Sequence, residues 1–316
     1  MTINQNEALA CVKLLVCVAK ADGELAPEER ASLQDSLASA KLPEGVTADS
    51  LLAATYDPDA LIAEIKTADA RDAAYSALFT MAYADRKLHP AEQALLQKVE
   101  QAWQVAPEKK GLFGRIFQEA RDTVSLTAIQ PIADPAKREK EINEDVLKYS
   151  ILSGALGVFP IPIASIATDL AVIGIQGKMV RDIGQYWGRE TTKEGVKQLL
   201  AGMGVGHVGR IAFNNLLKFV PVLGSVAAAT SNFASTWAAG RVANQFYASG
   251  GKLDMGTLKD MFKTKESEGR KAYEANKAAV EAKAKADKAK LDQLGADYKA
   301  GKITQAEYEQ KLIALK

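Results

Sequence analysis

Two stretches of this chain decide how the rest is read: ILSGALGVFPIPIASIATDLAVIGIQG, residues 151–177, and FVPVLGSVAAATSNFASTWAAG, residues 219–240. Asp169 is the only charge in the first, and the second has none. Each is as long as the roughly 20 apolar residues that cross a bilayer as helix. Neither is a clean span. Pro160 and Pro162 break the first, and the second carries Ser225, Thr230, Ser231, Asn232, Ser235 and Thr236. The pair reads as a soluble helical core, a membrane anchor, or a block that moves between the two. The spacing predicts a helix over 163–187 in which Ser165, Asp169 and Gln176 form a polar stripe, because offsets of four and eleven return to nearly one angle. A charge within such a helix faces a partner, a wet cavity or a hydrogen-bonded core. Small residues, Ala227 to Ala229, Ala234, Ser235 and Ala238 to Gly240, permit close backbone approach in the second helix.

No alternating strand pattern stands out on either side, and an all-α fold is expected. It divides into an N-terminal helical bundle (1–104), a linker (105–143), a hydrophobic helical domain (144–262) and a charged helical tail (263–316). Charge separates along these lines. Residues 1–104 hold 9 Lys+Arg against 16 Asp+Glu, a net −7, whereas the remainder holds 31 against 23, a net +8. An acidic head on a basic body suits cations at one end and an anionic surface at the other, or is simply solvated charge. Cys11 and Cys17, six apart on a helix, face different ways and build no disulfide framework. MTINQNEALA at the start lacks the basic and apolar regions of a signal peptide, so a cytoplasmic place at the inner membrane, peripheral or inserted, is expected.

The head contains a repeat. Ala21-Asp22-Gly23-Glu24-Leu25-Ala26-Pro27-Glu28-Glu29 aligns with Ala84-Asp85-Arg86-Lys87-Leu88-His89-Pro90-Ala91-Glu92, 63 residues on. In each copy an aspartate ends one helix and Pro-x-Glu starts the next. Proline fits the first helical position, and the glutamate falls near the third, where free N–H groups favour a carboxylate. Helices are also expected around Leu9, Val12, Leu15, Val16 and Ala19, around Leu33 and Leu37, from Pro58, over 73–84 and over 90–103.

The doubled motif, Lys20 to Leu25 with Pro27-Glu28-Glu29 and Tyr83-Ala84-Asp85 with His89 to Glu92, resembles the TerB (tellurite-resistance) family over residues 5–104. The resemblance implies an all-helical bundle whose paired acidic motifs bind a divalent metal through Asp22, Glu29, Asp85 and Glu92. Arg86, where the first copy has Gly23, competes with a cation at the second. All-oxygen ligands suit calcium or magnesium. The alternative is that these carboxylates only cap helices.

Further on, Lys109-Lys110-Gly111-Leu112-Phe113-Gly114-Arg115-Ile116-Phe117 puts Leu112, Phe113, Ile116 and Phe117 on one face beside three cations. Such a helix lies in a lipid interface or docks on a neighbouring domain. Pro131 and Pro135 then break the chain, and a charged helix starts at 136. Gly157 to Pro162, Asp169, the run 176–188 and Phe219 to Gly224 with Gly240-Arg241 resemble the YcjF-type, GTPase-associated domain of unknown function, over about 145–250. No P-loop is present, so this chain is not itself the GTPase. Gly202 to Gly209 holds a G-x-G-x-x-G, but helix rather than strand precedes it and no acidic residue follows at the required distance, so it reads as a hinge or a close packing point.

Residues 264–290, rich in Ala, Lys and Glu, show no apolar seam and read as a solvated helical spacer. Thr304-Gln305-Ala306-Glu307 is a capping box opening a last helix. Asp297 to Thr304 with Glu307-Tyr308 resembles the short C-terminal (SHOCT-like) domain, which implies binding of a partner or of a second copy. The catalytic inventory is thin. His89 and His207 lack zinc-ligand spacing, and no G-x-S-x-G occurs. The expected function is a non-enzymatic, membrane-associated adaptor or sensor of tellurite or envelope stress, with a possible divalent cation, partners at the inner membrane surface and on the tail, and no nucleic acid. The alternative is a soluble oligomeric scaffold, or an accessory partner of a separate GTPase, without metal.

Overall fold

Helix starts in this chain are written in side chains that accept from the first free backbone N–H groups. In the computed structural model Asn4 opens α1 (Gln5–Ala19) by accepting from the Glu7 N–H at 2.9 Å. Thr47 and Ser50 close a capping box on α2 (Ala48–Ala53). Asp57 caps α3 (Pro58–Glu64), with proline in its first turn as the Asp-Pro pair predicts. The fourth helix, α4 (Ala68–Tyr83), starts five residues before the predicted 73, because Thr67 Oγ1 accepts from the Ala70 N–H. His89 and Glu92 form the box that opens α5 (Pro90–Ala102).

The structure describes residues 3–21, 23, 25, 30, 33–34, 37, 42–83, 89–107, 110–111, 129–158, 164–205 and 225–316, without the side chains of 83, 164–166 and 225–227. Among them every regular element is an α-helix, as expected for an all-α fold. The chain forms two units, one of residues 1–118, 160–169 and 207–228, the other of 119–159, 170–206 and 229–316.

In the first unit α1 is the central element and touches α2, α3, α4 and α5. Its predicted stripe is too narrow. Cys11, Leu14 and Val18 are buried along with Val12, Leu15 and Val16, as befits a helix that is apolar nearly all round. Leu33 and Leu37 join this core, and the Trp103 indole N–H donates to the Ile62 carbonyl at 3.2 Å.

The second unit begins with α6 (Pro135–Val158), which runs unbroken through the 143/144 boundary expected from composition. It continues with α7 (Ala164–Tyr186, matching the predicted 163–187) from residue 170 on, α8 (Lys193–Gly202), α9 (Ser225–Ala248) from residue 229 on, α10 (Met255–Lys299) and α11 (Gln305–Ile313). A left-handed Gly204, φ 78°, follows α8, so this glycine-rich stretch ends a helix rather than turning a strand into one.

The solvated-spacer reading is corrected here. α10 is a single 45-residue helix, about 67 Å long at 1.5 Å per residue. It packs along α6 and also touches α8 and α11. Leu258, Phe262, Glu266, Gly269, Tyr273, Val280, Ala284, Asp287, Leu291 and Tyr298 are buried at helical spacing. That seam mixes small and charged side chains with apolar ones, which hid it in an Ala/Lys/Glu-rich sequence. Phe233 lies at its centre, stacked on Trp237 at 6.1 Å and edge-on to Tyr273 at 5.7 Å, with Ala155, Ala229, Val280 and Ala284 around it.

Among the described residues no helix is long and apolar enough to cross a membrane. The physical reason is internal polarity. Gln176, Lys178, Arg181 and Asp182 are buried in α7, and Ser231, Asn232, Ser235 and Thr236 in α9.

Candidate functional site

The paired acidic motif of the first unit is described in part. Asp22, Glu29 and Asp85 lie outside the described residues, and so do Leu112, Phe113, Ile116 and Phe117 of the basic amphipathic segment. Glu92 is described and half-buried. Its Oε2 accepts from the His89 N–H at 3.0 Å, while His89 Nδ1 accepts from the Ala91 N–H at 3.3 Å. The third-position carboxylate that the repeat predicts is therefore in place at the helix start. No group of three or more His, Cys, Asp or Glu suited to a metal occurs among the described residues.

Sequence reasoning missed a second carboxylate in this unit. Glu7 is buried, and its Oε1 accepts from the Lys66 and Thr67 N–H groups, each at 2.7 Å. Its Oε2 accepts from the Thr67 hydroxyl at 3.1 Å and the Asn4 amide at 2.7 Å. Burial pushes the carboxyl up, but the hydrogen bonds from Thr67 and Lys66, with the Arg71 charge, outweigh it and hold it below its ordinary value. Glu7 thus ties the start of α1 to the start of α4. Burial pushes both thiols up, Cys17 to about 11 and the deeper Cys11 further, so neither is a reactive thiolate.

Of the polar stripe, Asp169 and Gln176 are both buried, and the side chain of Ser165 lies outside the described residues. Gln176 donates to Ser235 Oγ at 3.1 Å and to Thr236 Oγ1 at 3.0 Å, so it joins α7 to α9 through hydrogen bonds.

The more concentrated polar chemistry of the second unit sits one turn further along α7. The Tyr149 hydroxyl donates to Asp182 Oδ2 at 3.0 Å, and the Lys178 ammonium pairs with the same oxygen at 2.5 Å. The Tyr186 hydroxyl donates to Asp145 Oδ2 at 2.9 Å. Lys316 Nζ lies 2.6 Å from Asp145 Oδ1 and 4.0 Å from the centre of the Tyr149 ring. Asp145, Tyr149, Lys178, Asp182 and Tyr186 are all buried. Burial, then the neighbouring aspartate charge and the hydrogen bond to it, pushes both phenols far above their ordinary range. They act as fixed donors and not as bases near neutral pH. One signal was available: Asp145 shares a helix face with Ile142, Val146 and Tyr149, at the offsets that define a core face.

The last helix closes against its own chain. Tyr308 and Leu312 are fully buried, Tyr308 lies 5.1 Å from Tyr298, and α11 touches α10. A Cβ on Gly174 would meet Glu309 Oε2 at 2.7 Å, so glycine is what admits that carboxylate beside α7. The predicted box is present, with Thr304 and Glu307 capping each other. Elsewhere in this unit Thr191, Val196, Leu199, Tyr247, Met255 and Leu258 help line a cleft of about 330 Å³. Burial pushes the Tyr247 phenol there up to about 12.

The bundle of the first unit, with helix starts at Pro58 and Pro90 and an acidic cap at Glu92, defines a class that comparison with known families makes specific. Residues 8–111 match the family model described as Tellurite resistance protein TerB, so the head of this chain is a TerB family domain. No curated protein and no solved structure matches the chain.

Proposed function

We propose that the protein is a non-enzymatic adaptor of a tellurite-resistance or envelope-stress system, with its TerB domain as a divalent-cation-responsive head. The observation that carries this reading is the family match over 8–111, which spans both copies of the acidic motif. Asp22, Glu29, Asp85 and Glu92 would hold the cation. A set of four carboxylates fits calcium or magnesium, both of which prefer oxygen donors. Bound there, the ion would offset the negative charge of the head and tie together two helix starts 63 residues apart in sequence. In this reading the basic segment 109–117 attaches the protein to the cytoplasmic face of the inner membrane. The stretch of about 145–250, whose motifs read as similar to YcjF-type domains, would take a protein partner, a separate GTPase among the candidates.

One observation favours the alternative of a helical scaffold without metal: Glu92 is already engaged in its capping box. Tellurite tolerance separates the two. Cells lacking the gene are expected to lose tolerance. The wild-type chain should restore it, and Asp22→Asn/Asp85→Asn should not. Full restoration by the double variant would remove the cation from the function. Unchanged tolerance in the deletion strain would remove the role altogether.

A further inference from the structure

Lys316 is the one cation among the described residues that reaches the Asp145–Tyr149 side of the buried network from outside α6 and α7. Its seat is built without it. Tyr186 holds Asp145 through Oδ2, so Oδ1 is directed to a cation. Tyr149 is fixed by its hydroxyl on Asp182, so its ring presents a set face. Carboxylate and ring both stand on α6, one turn apart. We propose that Asp145 and the Tyr149 ring form a primary-ammonium site, which Lys316 fills within the chain and which takes an alkylammonium from elsewhere when α11 lifts away. This goes beyond the TerB reading and does not depend on it.

The chemistry selects the ligand class. A carboxylate beside an aromatic face binds a cation whose charge and C–H edge both find partners, which favours an alkylammonium over a bare metal ion. A preformed seat also spares the ligand the cost of organising it. The occupant is poised to exchange. Its side chain keeps 24% of its surface exposed, against 6% for Asp145, so the ammonium sits at the mouth of the site. It is delivered by a nine-residue helix, too short to persist alone. That helix is held by the Tyr308–Tyr298 contact, by Glu309 beside Gly174, and by the Leu315 carbonyl, which accepts from Lys283. Once the tail lifts, Asp145 loses its counter-cation, and another ammonium can take its place.

The test uses the full-length protein. Lys316→Ala removes a propylammonium equivalent from the seat. Its melting temperature is expected to rise by about 2 °C or more in saturating n-propylammonium. The wild type should move by less, and neither should respond to n-propanol or to sodium chloride at equal ionic strength. Asp145→Asn on the Lys316→Ala background should abolish the rise. Putrescine and Nα-acetyl-lysine amide serve as parallel arms: the one that binds more tightly marks a free polyamine or a protein lysine as the natural source. In the unaltered protein, n-propylammonium should speed amide exchange at residues 305–313 by displacing Lys316. No specific rise in Lys316→Ala, or a rise that survives Asp145→Asn, overturns the proposal. So does amide exchange at 305–313 that ignores the amine.

Discussion

Replacing Gly269 by alanine should destabilise the protein, although helix propensity argues the reverse. In an exposed helix interior the change would stabilise by about 1 kcal/mol, since glycine loses more backbone freedom on folding. Gly269, however, lies where α10 meets α9. A Cβ built there comes 2.8 Å from the Ala234 carbonyl oxygen and 2.9 Å from Ala234 Cα, with Trp237 Cβ at 3.2 Å. The first two are backbone atoms that no rotamer change can move aside. Relief requires the helix axes to part by several tenths of an ångström, and this loosens the Phe233–Tyr273 contact one turn on. Overpacking of this kind costs about 1–3 kcal/mol, and more where backbone must shift. Because the two closest atoms are backbone, the upper part of that range applies, about 2–3 kcal/mol, and set against the propensity gain of about 1 kcal/mol the net is a loss of about 1–2 kcal/mol. Scanning calorimetry of full-length protein should show the transition of the second unit lowered by about 3–6 °C. A higher melting temperature for Gly269→Ala would show that α10 stands clear in solvent, as its composition alone implies.

The Glu7 carboxyl is held below its ordinary value of 4.5, so its stabilisation is complete above that pH and is lost as pH falls through the lower folded value. Glu7→Gln should therefore cost about 2–4 kcal/mol at pH 7, and the gap from wild type should narrow as pH falls below 4.5. A gap that is constant with pH would contradict the hydrogen bonds assigned to Glu7. Tyr149→Phe withdraws the donor from Asp182 Oδ2 and should cost about 1–3 kcal/mol in urea unfolding, whereas a neutral result would mean that water reaches Asp182. If segment 109–117 attaches to lipid, wild-type protein should float with anionic liposomes and Phe113→Glu/Phe117→Glu should not. Equal flotation of the two would place the attachment elsewhere.

Local chemistry was the part of this fold most legible in the sequence. Proline at 58 and 90, the Thr304 box and the long apolar run of α7 each act within a turn or two, and their helices begin or end within a residue or two of expectation. The motif doubled at Asp22 and Asp85 pointed to the TerB domain for the same reason. What failed to show was anything decided by a distant partner. Glu266, Gly269 and Asp287 read as solvated because nothing near them in sequence says that other helices cover their face, as α9 covers Gly269. Asp145 and Asp182 gain their partners only when the fold brings Tyr186 and Tyr149, each from the other helix, beside them. Glu7 is one of many acidic residues in an acidic head, and only the turn at Lys66 and Thr67 gives it a role.

Calorimetric titration of full-length protein with calcium and with magnesium, repeated on Asp22→Asn/Asp85→Asn, addresses the cation-responsive head most directly. Saturable binding of one of the two ions to the wild type, with a higher melting temperature for the TerB domain and both effects lost in the double variant, is the predicted result. No heat of binding with either ion, or binding that is undiminished in the double variant, would contradict it.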